Sequence, residues 1–120
     1  EKLLLDAFDS LFIGLNKKEA NAVLSSILTN TEKLMIAKRI GASLLIKENL
    51  TEVEISEALK LTRATVDKYM LVIKAGSAEA WNFILVKLEK WHDFVVLKEE
   101  LKKAGLRALK EFSKGMSGKI

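Results

Sequence analysis

Apolar side chains recur at steps of three and four residues along most of this chain, a spacing that places them on one face of an α-helix. The stripes predict helices over residues 2–13, 17–28, 30–48, 52–59 and 63–75, and a long last segment from residue 78. We expect Gly105 to interrupt that segment, since glycine is a poor helix former. Six or seven helices predict an all-α fold.

Short polar side chains stand just before most of these stripes and predict where the helices begin. An oxygen at this position accepts a hydrogen bond from the backbone of the first turn, and a glutamate three residues later can return one. The candidate caps are Asn16 with Glu19, Thr29 with Glu32, Thr51 with Glu54, and the single residues Thr62 and Ser77. Asn49 fits the C-terminal end of the third helix.

Residues 51–74 are typical of two short helices that meet at a tight corner, as in a helix-turn-helix. With Val66 as the buried residue of the second helix, a helix-turn-helix needs an apolar residue and then a small one in the first helix. It also needs an apolar residue in the turn and another one turn after Val66. The chain supplies Ile55, Ser56, Leu61 and Tyr69. Lys60 stands where the turn often has glycine, so the turn either adopts a positive φ at a cost or has another geometry. The alternative is an ordinary helical hairpin.

The second helix of this motif would offer a polar and basic face to DNA. The candidate DNA-binding residues are Thr62, Arg63, Ala64, Thr65, Asp67, Lys68 and Lys74. Arg63 could contact a guanine edge or a phosphate. Asp67 could accept from cytosine, or pair with Arg63 at i, i+4 spacing. Lys68 and Lys74 are suited to phosphate contacts, which position a protein on DNA without reading its sequence.

Composition narrows the classes of function. The chain has 120 residues, 49% of them hydrophobic, which is enough for one domain with a core. The absence of cysteine excludes disulfides, thiol nucleophiles and cysteine-based metal sites, and favours an intracellular, cytoplasmic protein. No apolar run approaches the roughly 20 residues that cross a bilayer. A single histidine, His92, and the lack of a phosphate-binding loop predict neither an enzyme nor a metal protein.

Charge is unevenly distributed. The net charge of +4 belongs entirely to the segment from Lys98 onward, where seven basic residues face three acidic ones. We therefore divide the chain into a domain over residues 1–92 and a basic helical extension over residues 93–120. A basic tail suits contact with phosphate, and is equally a common way to keep a helix soluble.

In this order of elements, the chain resembles the Trp repressor superfamily, and most closely its smaller branch of Trp-repressor-like bacterial regulators. Residues 28–40, LTNTEKLMIAKRI, are similar to the family signature LTPxERxxLxxRl. Residues 54–55 and 64–66 match its "rEI" and "sTATIsR" elements, and residues 7–11 and 16–19 look like its first helix and first loop. The resemblance covers residues 3–91.

The resemblance implies an intertwined homodimer that binds operator DNA through helix-turn-helix units and is associated with the nucleoid. The founding branch holds L-tryptophan between two arginines beside a threonine. Arg39 and Thr29 match the first arginine and the threonine, and Lys68 completes the possible ligand pocket. Because lysine lacks the flat guanidinium that stacks on indole, we predict no L-tryptophan corepressor and no other cofactor. The sequence names no small-molecule effector.

The apolar faces themselves also suggest a dimer. Short helices with broad apolar faces are hard to bury within one chain, so we expect the first helices and the segment from Trp81 to Val95 at an interface between two copies. Burial of the tryptophans inside one chain is the alternative.

Two hypotheses of function follow. The first is a sequence-specific, dimeric transcriptional regulator that places a helix in the major groove of DNA. The second is a helical interaction module that binds a protein partner through its C-terminal helix and keeps the helix-turn-helix as a scaffold.

Overall fold

A computed structural model describes the backbone of residues 1–117 and the side chains of residues 1–107. In this part of the chain all regular structure is helical, which confirms the all-α fold class. The elements are α1 Lys2–Ser10, α2 Lys17–Ile27, α3 Asn30–Lys47, α4 Glu52–Leu59, α5 Arg63–Ala75, α6 Ala78–Glu89 and α7 Phe94–Ser117. No helix among the described residues has the length and apolar character needed to cross a membrane.

The predicted caps are confirmed. Around α4 the Glu54 amide donates to Thr51 Oγ1 over 3.3 Å, and the Thr51 amide donates to Glu54 Oε1 over 2.9 Å. Asn16 makes the same reciprocal pair with Glu19, and Thr29 with Glu32. Thr62 and Ser77 each accept from a backbone amide of the following turn. Local hydrogen bonding therefore sets where five of the helices begin.

Three predicted boundaries are wrong. α1 ends at Ser10, and the chain continues to Ile13 with backbone bonds from residue i to i−3. The last segment is divided at residues 90–93 into α6 and α7. Gly105 does not interrupt α7, because it lies where the helix packs closely on α4: a Cβ there would stand 3.0 Å from the Glu54 carbonyl oxygen. Glycine serves close approach at this position rather than a break in the helix.

The described chain forms two compact units. The first, residues 1–37, contains α1, α2 and the start of α3, and neither α1 nor α2 has a buried residue. The second begins at Lys38 and contains the remaining helices.

The core of the second unit is formed by α3, α4 and α5. Its buried residues are Ala42, Leu45, Ile55, Leu59, Val66 and Tyr69. A smaller cluster joins Leu44 with Leu85 and Phe94. Ile55, Val66 and Tyr69 were all predicted to point inward, and their burial confirms that prediction.

α7 packs on α4. Leu101 packs against the core beside α4, and Lys98 Nζ lies 3.2 Å from Glu48 Oε1 at the end of α3. The predicted division of the chain into residues 1–92 and 93–120 stays a prediction. The side chains of Lys110, Lys114 and Lys119, which belong to the predicted basic tail, lie outside the described residues.

Candidate nucleic-acid interface

The corner between α4 and α5 is closed by hydrogen bonds around Lys60. This residue has φ 53° and ψ 54°, the left-handed conformation, so the first of the two alternatives for the turn is the one observed. The Lys60 and Leu61 amides donate to the carbonyls of Glu57 and Ser56, a Schellman arrangement. The Ser56 hydroxyl donates to the Leu61 carbonyl over 2.5 Å. These bonds hold a strained non-glycine residue in place and fix the path of the chain into α5.

α5 is anchored through one face. Val66 and Tyr69 are 0% and 3% exposed, and both contact the core made by α3 and α4. At the first turn Thr62 Oγ1 accepts from the Thr65 amide over 3.1 Å, and the two hydroxyls are 2.9 Å apart. The anchored face determines which side chains of α5 point away from the unit.

The opposite face of α5 is open to solvent within the chain. The candidate residues Thr62, Arg63, Ala64, Asp67, Lys68 and Lys74 are exposed, and Thr65 is half-buried. Three of these residues are basic and one is acidic, so the face is positive on balance. The exposed side chains are those of the N-cap residue, of the first two turns and of the last turn of a helix whose other face is fixed.

Arg63 has an ion-pair partner that the sequence analysis missed. Its Nε lies 3.2 Å from Oε1 of Glu52, the first residue of α4, and not against Asp67 as the i, i+4 spacing suggested. The two residues are 11 positions apart, so no helical spacing relates them. The available signal was an acidic residue at the start of one helix of the motif and a basic residue at the start of the other.

The three residues of the possible ligand pocket have different surroundings. Thr29 belongs to the first unit and caps α3. Its backbone amide, and secondly its hydroxyl, lower the pKa of the exposed Glu32 carboxyl. Arg39 belongs to the second unit, where its guanidinium lies 5.3 Å from the centre of the Tyr69 ring. Its Nε is buried without a hydrogen-bond partner among the described residues. Lys68 is exposed on α5.

The resemblance matches Arg39 to an arginine that binds a ligand. In the described part of the chain it takes part in no ion pair, and it stacks on Tyr69 instead. A guanidinium over an aromatic face is a favourable cation–π contact. Arg39 thus helps to hold the buried face of α5.

No family model, curated protein or solved structure matches this chain. The resemblance to the Trp repressor superfamily therefore stays a prediction from the sequence. Among the described residues, no group of three or more histidine, aspartate or glutamate side chains could hold a metal ion.

Proposed function

We propose that this protein is a sequence-specific transcriptional regulator that binds double-stranded DNA as a homodimer and places α5 in the major groove. The observation that carries the proposal is the position of α5. Its inner face is fixed by Val66 and Tyr69, and its first turns carry exposed Arg63 and Lys68. An anchored helix with an open, basic leading end is what a helix-turn-helix offers to a duplex.

The side chains of α5 suit different parts of DNA. Arg63 would read a guanine edge, a contact that contributes about 1–3 kcal/mol of discrimination. The Ala64 methyl group suits the methyl group of thymine. Lys68 and Lys74 would bind phosphates and set the register of the helix in the groove. Asp67 would accept a hydrogen bond from a cytosine amino group. Alternatively, it would repel nearby phosphates and so restrict the positions that α5 can take in the groove.

A second copy of the chain is the partner we propose for the apolar face of the first unit. The exposed apolar side chains of α1 and the turn after it include Leu3, Leu4, Leu5, Phe8, Leu11 and Phe12, each at least 39% exposed. Contiguous apolar surface of this kind marks interaction sites in proteins. A twofold dimer would carry two copies of α5, so its operator should be an inverted repeat with half-sites about one helical turn apart.

Selection of bound sequences from a random duplex pool tests this function. We expect an inverted repeat to be enriched, and affinity for it to fall steeply between a low and a high salt concentration, because bound cations are released from the phosphates. The R63A/K68A double variant should lose enrichment. K87A/K90A, which removes the same charge from the exposed end of α6, is the matched control and should keep it.

Failure to enrich any sequence would overturn the proposal, as would enrichment that both double variants retain. The selection is run with and without free amino acids, because Arg39 and Lys68 were matched to a ligand pocket. A change in enrichment with L-tryptophan would contradict our prediction that tryptophan is not a corepressor.

A second candidate function is a helical interaction module. It is favoured by apolar side chains on the outer side of α7 and the turn before it, where Trp91, Val95 and Val96 are 43%, 65% and 61% exposed. Because α7 also packs on α4, deletion of residues 93–120 would damage the second unit itself. The sharper test is V95S/V96S. If this variant loses a stable protein partner while the protein shows no salt-dependent duplex binding, the module is the better account.

A further inference from the structure

The ion pair between Glu52 and Arg63 joins the leading ends of the two helices of the motif. Arg63 Nε donates to Glu52 Oε1 over 3.2 Å. Within the described residues this is the only hydrogen bond that the Arg63 side chain makes. The Arg63 side chain is 67% exposed and that of Glu52 33%. The carboxylate is thus the more enclosed partner, and the guanidinium extends from it toward solvent.

Contact through Nε leaves the outer end of the guanidinium available. An arginine reads guanine with two N–H groups directed at O6 and N7, and its two terminal nitrogens can make this fork while Nε stays with a carboxylate. A long side chain held at one point also loses less freedom when it binds. The observed pair therefore holds Arg63 in a conformation in which its terminal nitrogens are free to bind a base edge.

The same carboxylate acts against phosphate contacts. Glu52 cancels much of the Arg63 charge at short range, and a phosphate carries a full negative charge whereas a base edge is neutral overall. Neutralising Arg63 therefore weakens its attraction to the DNA backbone more than its hydrogen bonds to a guanine. Since backbone attraction supplies essentially all non-specific binding, the pair should raise the ratio of specific to non-specific affinity.

We propose that Glu52 is a specificity-determining residue: by holding Arg63 at Nε, it directs the arginine to a base and discourages its use as a general phosphate anchor. This inference rests on the proposed function and deepens it. The contribution of Glu52 is made through Arg63, so Glu52 is a positioning residue of the interface.

The test compares Glu52→Gln with Glu57→Gln in the full chain. Both substitutions remove one negative charge from α4, and Glu57 is exposed with no ion pair among the described residues. Dissociation constants are measured for the duplex enriched from the random pool and for a scrambled duplex, each at several salt concentrations. The two quantities compared are the affinity ratio and the slope of log affinity against log salt.

With Glu52→Gln we expect affinity for the scrambled duplex to rise about two- to fivefold, the range for loss of one exposed ion pair. Affinity for the enriched duplex should rise less, so the ratio falls. On the scrambled duplex, the slope of log affinity against log salt should become more negative by about one for each new phosphate contact of a protomer. Glu57→Gln should change neither ratio nor slope to this extent. In an Arg63→Ala background, which has no cation for Glu52 to hold or neutralise, Glu52→Gln should no longer lower the ratio.

A second variant guards against damage to the fold, since an acidic residue at the start of α4 also favours the helix. Glu52→Asp keeps that charge and shortens the side chain by one methylene, so it should lower the ratio with an unchanged unfolding curve. If both Glu52 variants match Glu57→Gln in ratio and slope while the wild type still selects its operator, the inference fails and the proposed function stands. If the wild type selects no sequence, both fail.

Discussion

The two units of this protein have the same kind of sequence pattern but differ in how far their apolar side chains are buried. Leu3 and Ile13 of the first unit are 82% and 81% exposed, whereas Leu45, Ile55 and Val66 of the second are each fully buried. Steps of three and four residues mark the apolar stripe in both. Spacing therefore reports that a helix has an apolar face, and not what covers it.

The contrast can be seen inside one helix. In α3 the residues Leu34, Met35 and Ile36 are between 43% and 55% exposed, whereas Ala42, Leu44 and Leu45, about two turns later, are buried. The second half of α3 packs against α4, α5 and α6, so its apolar side chains lie in a core. The first half belongs to the unit of residues 1–37, in which no residue is buried, so its apolar side chains stay exposed in the single chain.

The largest expected effect comes from deleting core volume in the second unit. Leu45→Ala should lower the free energy of unfolding by about 2–5 kcal/mol, because a fully buried leucine leaves a cavity. Leu4→Ala, at a position that is 75% exposed, should change it by about 0.5 kcal/mol or less when the protein is dilute. Urea unfolding followed by circular dichroism at 222 nm measures both, since helices of both units contribute to that signal. Equal losses would remove the distinction between the units.

The next effect concerns the partner of the first unit. Phe8 is 48% exposed in the single chain, so Phe8→Ala on both copies should cost the proposed dimer about 1.5–3 kcal/mol of apolar burial. The dissociation constant would then rise roughly 10- to 100-fold. Analytical ultracentrifugation over a range of concentrations measures it, with Asp9→Ala as the control on the polar side of α1. A wild-type chain that stays monomeric at high concentration would contradict the dimer.

These predictions also show what sequence reasoning could and could not supply. Helix starts were predictable because a cap involves residues two or three apart, as in the pair of Thr51 and Glu54. The inward face of α5 was predictable because Val66 and Tyr69 are fixed by helical spacing. The pairing of Arg63 with Glu52 and the role of Gly105 depend on how separate helices meet, and no local pattern contains that information.

A smaller effect tests how tightly the second unit is packed. Gly105→Ala would place a Cβ 3.0 Å from the Glu54 carbonyl oxygen and 3.3 Å from a Leu50 methyl group. Overpacking of this kind costs about 1–3 kcal/mol, and better helix propensity offsets up to about 1 kcal/mol of it. Gly41→Ala is the matched control, since its nearest neighbour is a flexible Leu59 methyl at 3.2 Å, and it should be near neutral. Similar unfolding curves for the two variants would show that α7 does not press on α4.

The smallest effect belongs to the first unit, where local bonds hold the start of α3 without a core. The Thr29 amide and, second, its hydroxyl lower the pKa of the Glu32 carboxyl from its ordinary value near 4.5. A carboxyl whose pKa is lowered in the fold stabilises the fold at pH values above its ordinary pKa. This contribution is lost as the pH falls through the lower, native pKa.

Thr29→Val removes the hydroxyl and keeps the amide, so the Glu32 pKa followed by NMR should move part of the way back to normal. Thr29→Ser should keep the shift, and an unchanged pKa in the valine variant would show that the hydroxyl has no part in it. Because Glu32 is exposed, its titration should leave the tryptophan fluorescence of the second unit unaltered, which separates a local cap from a packed core.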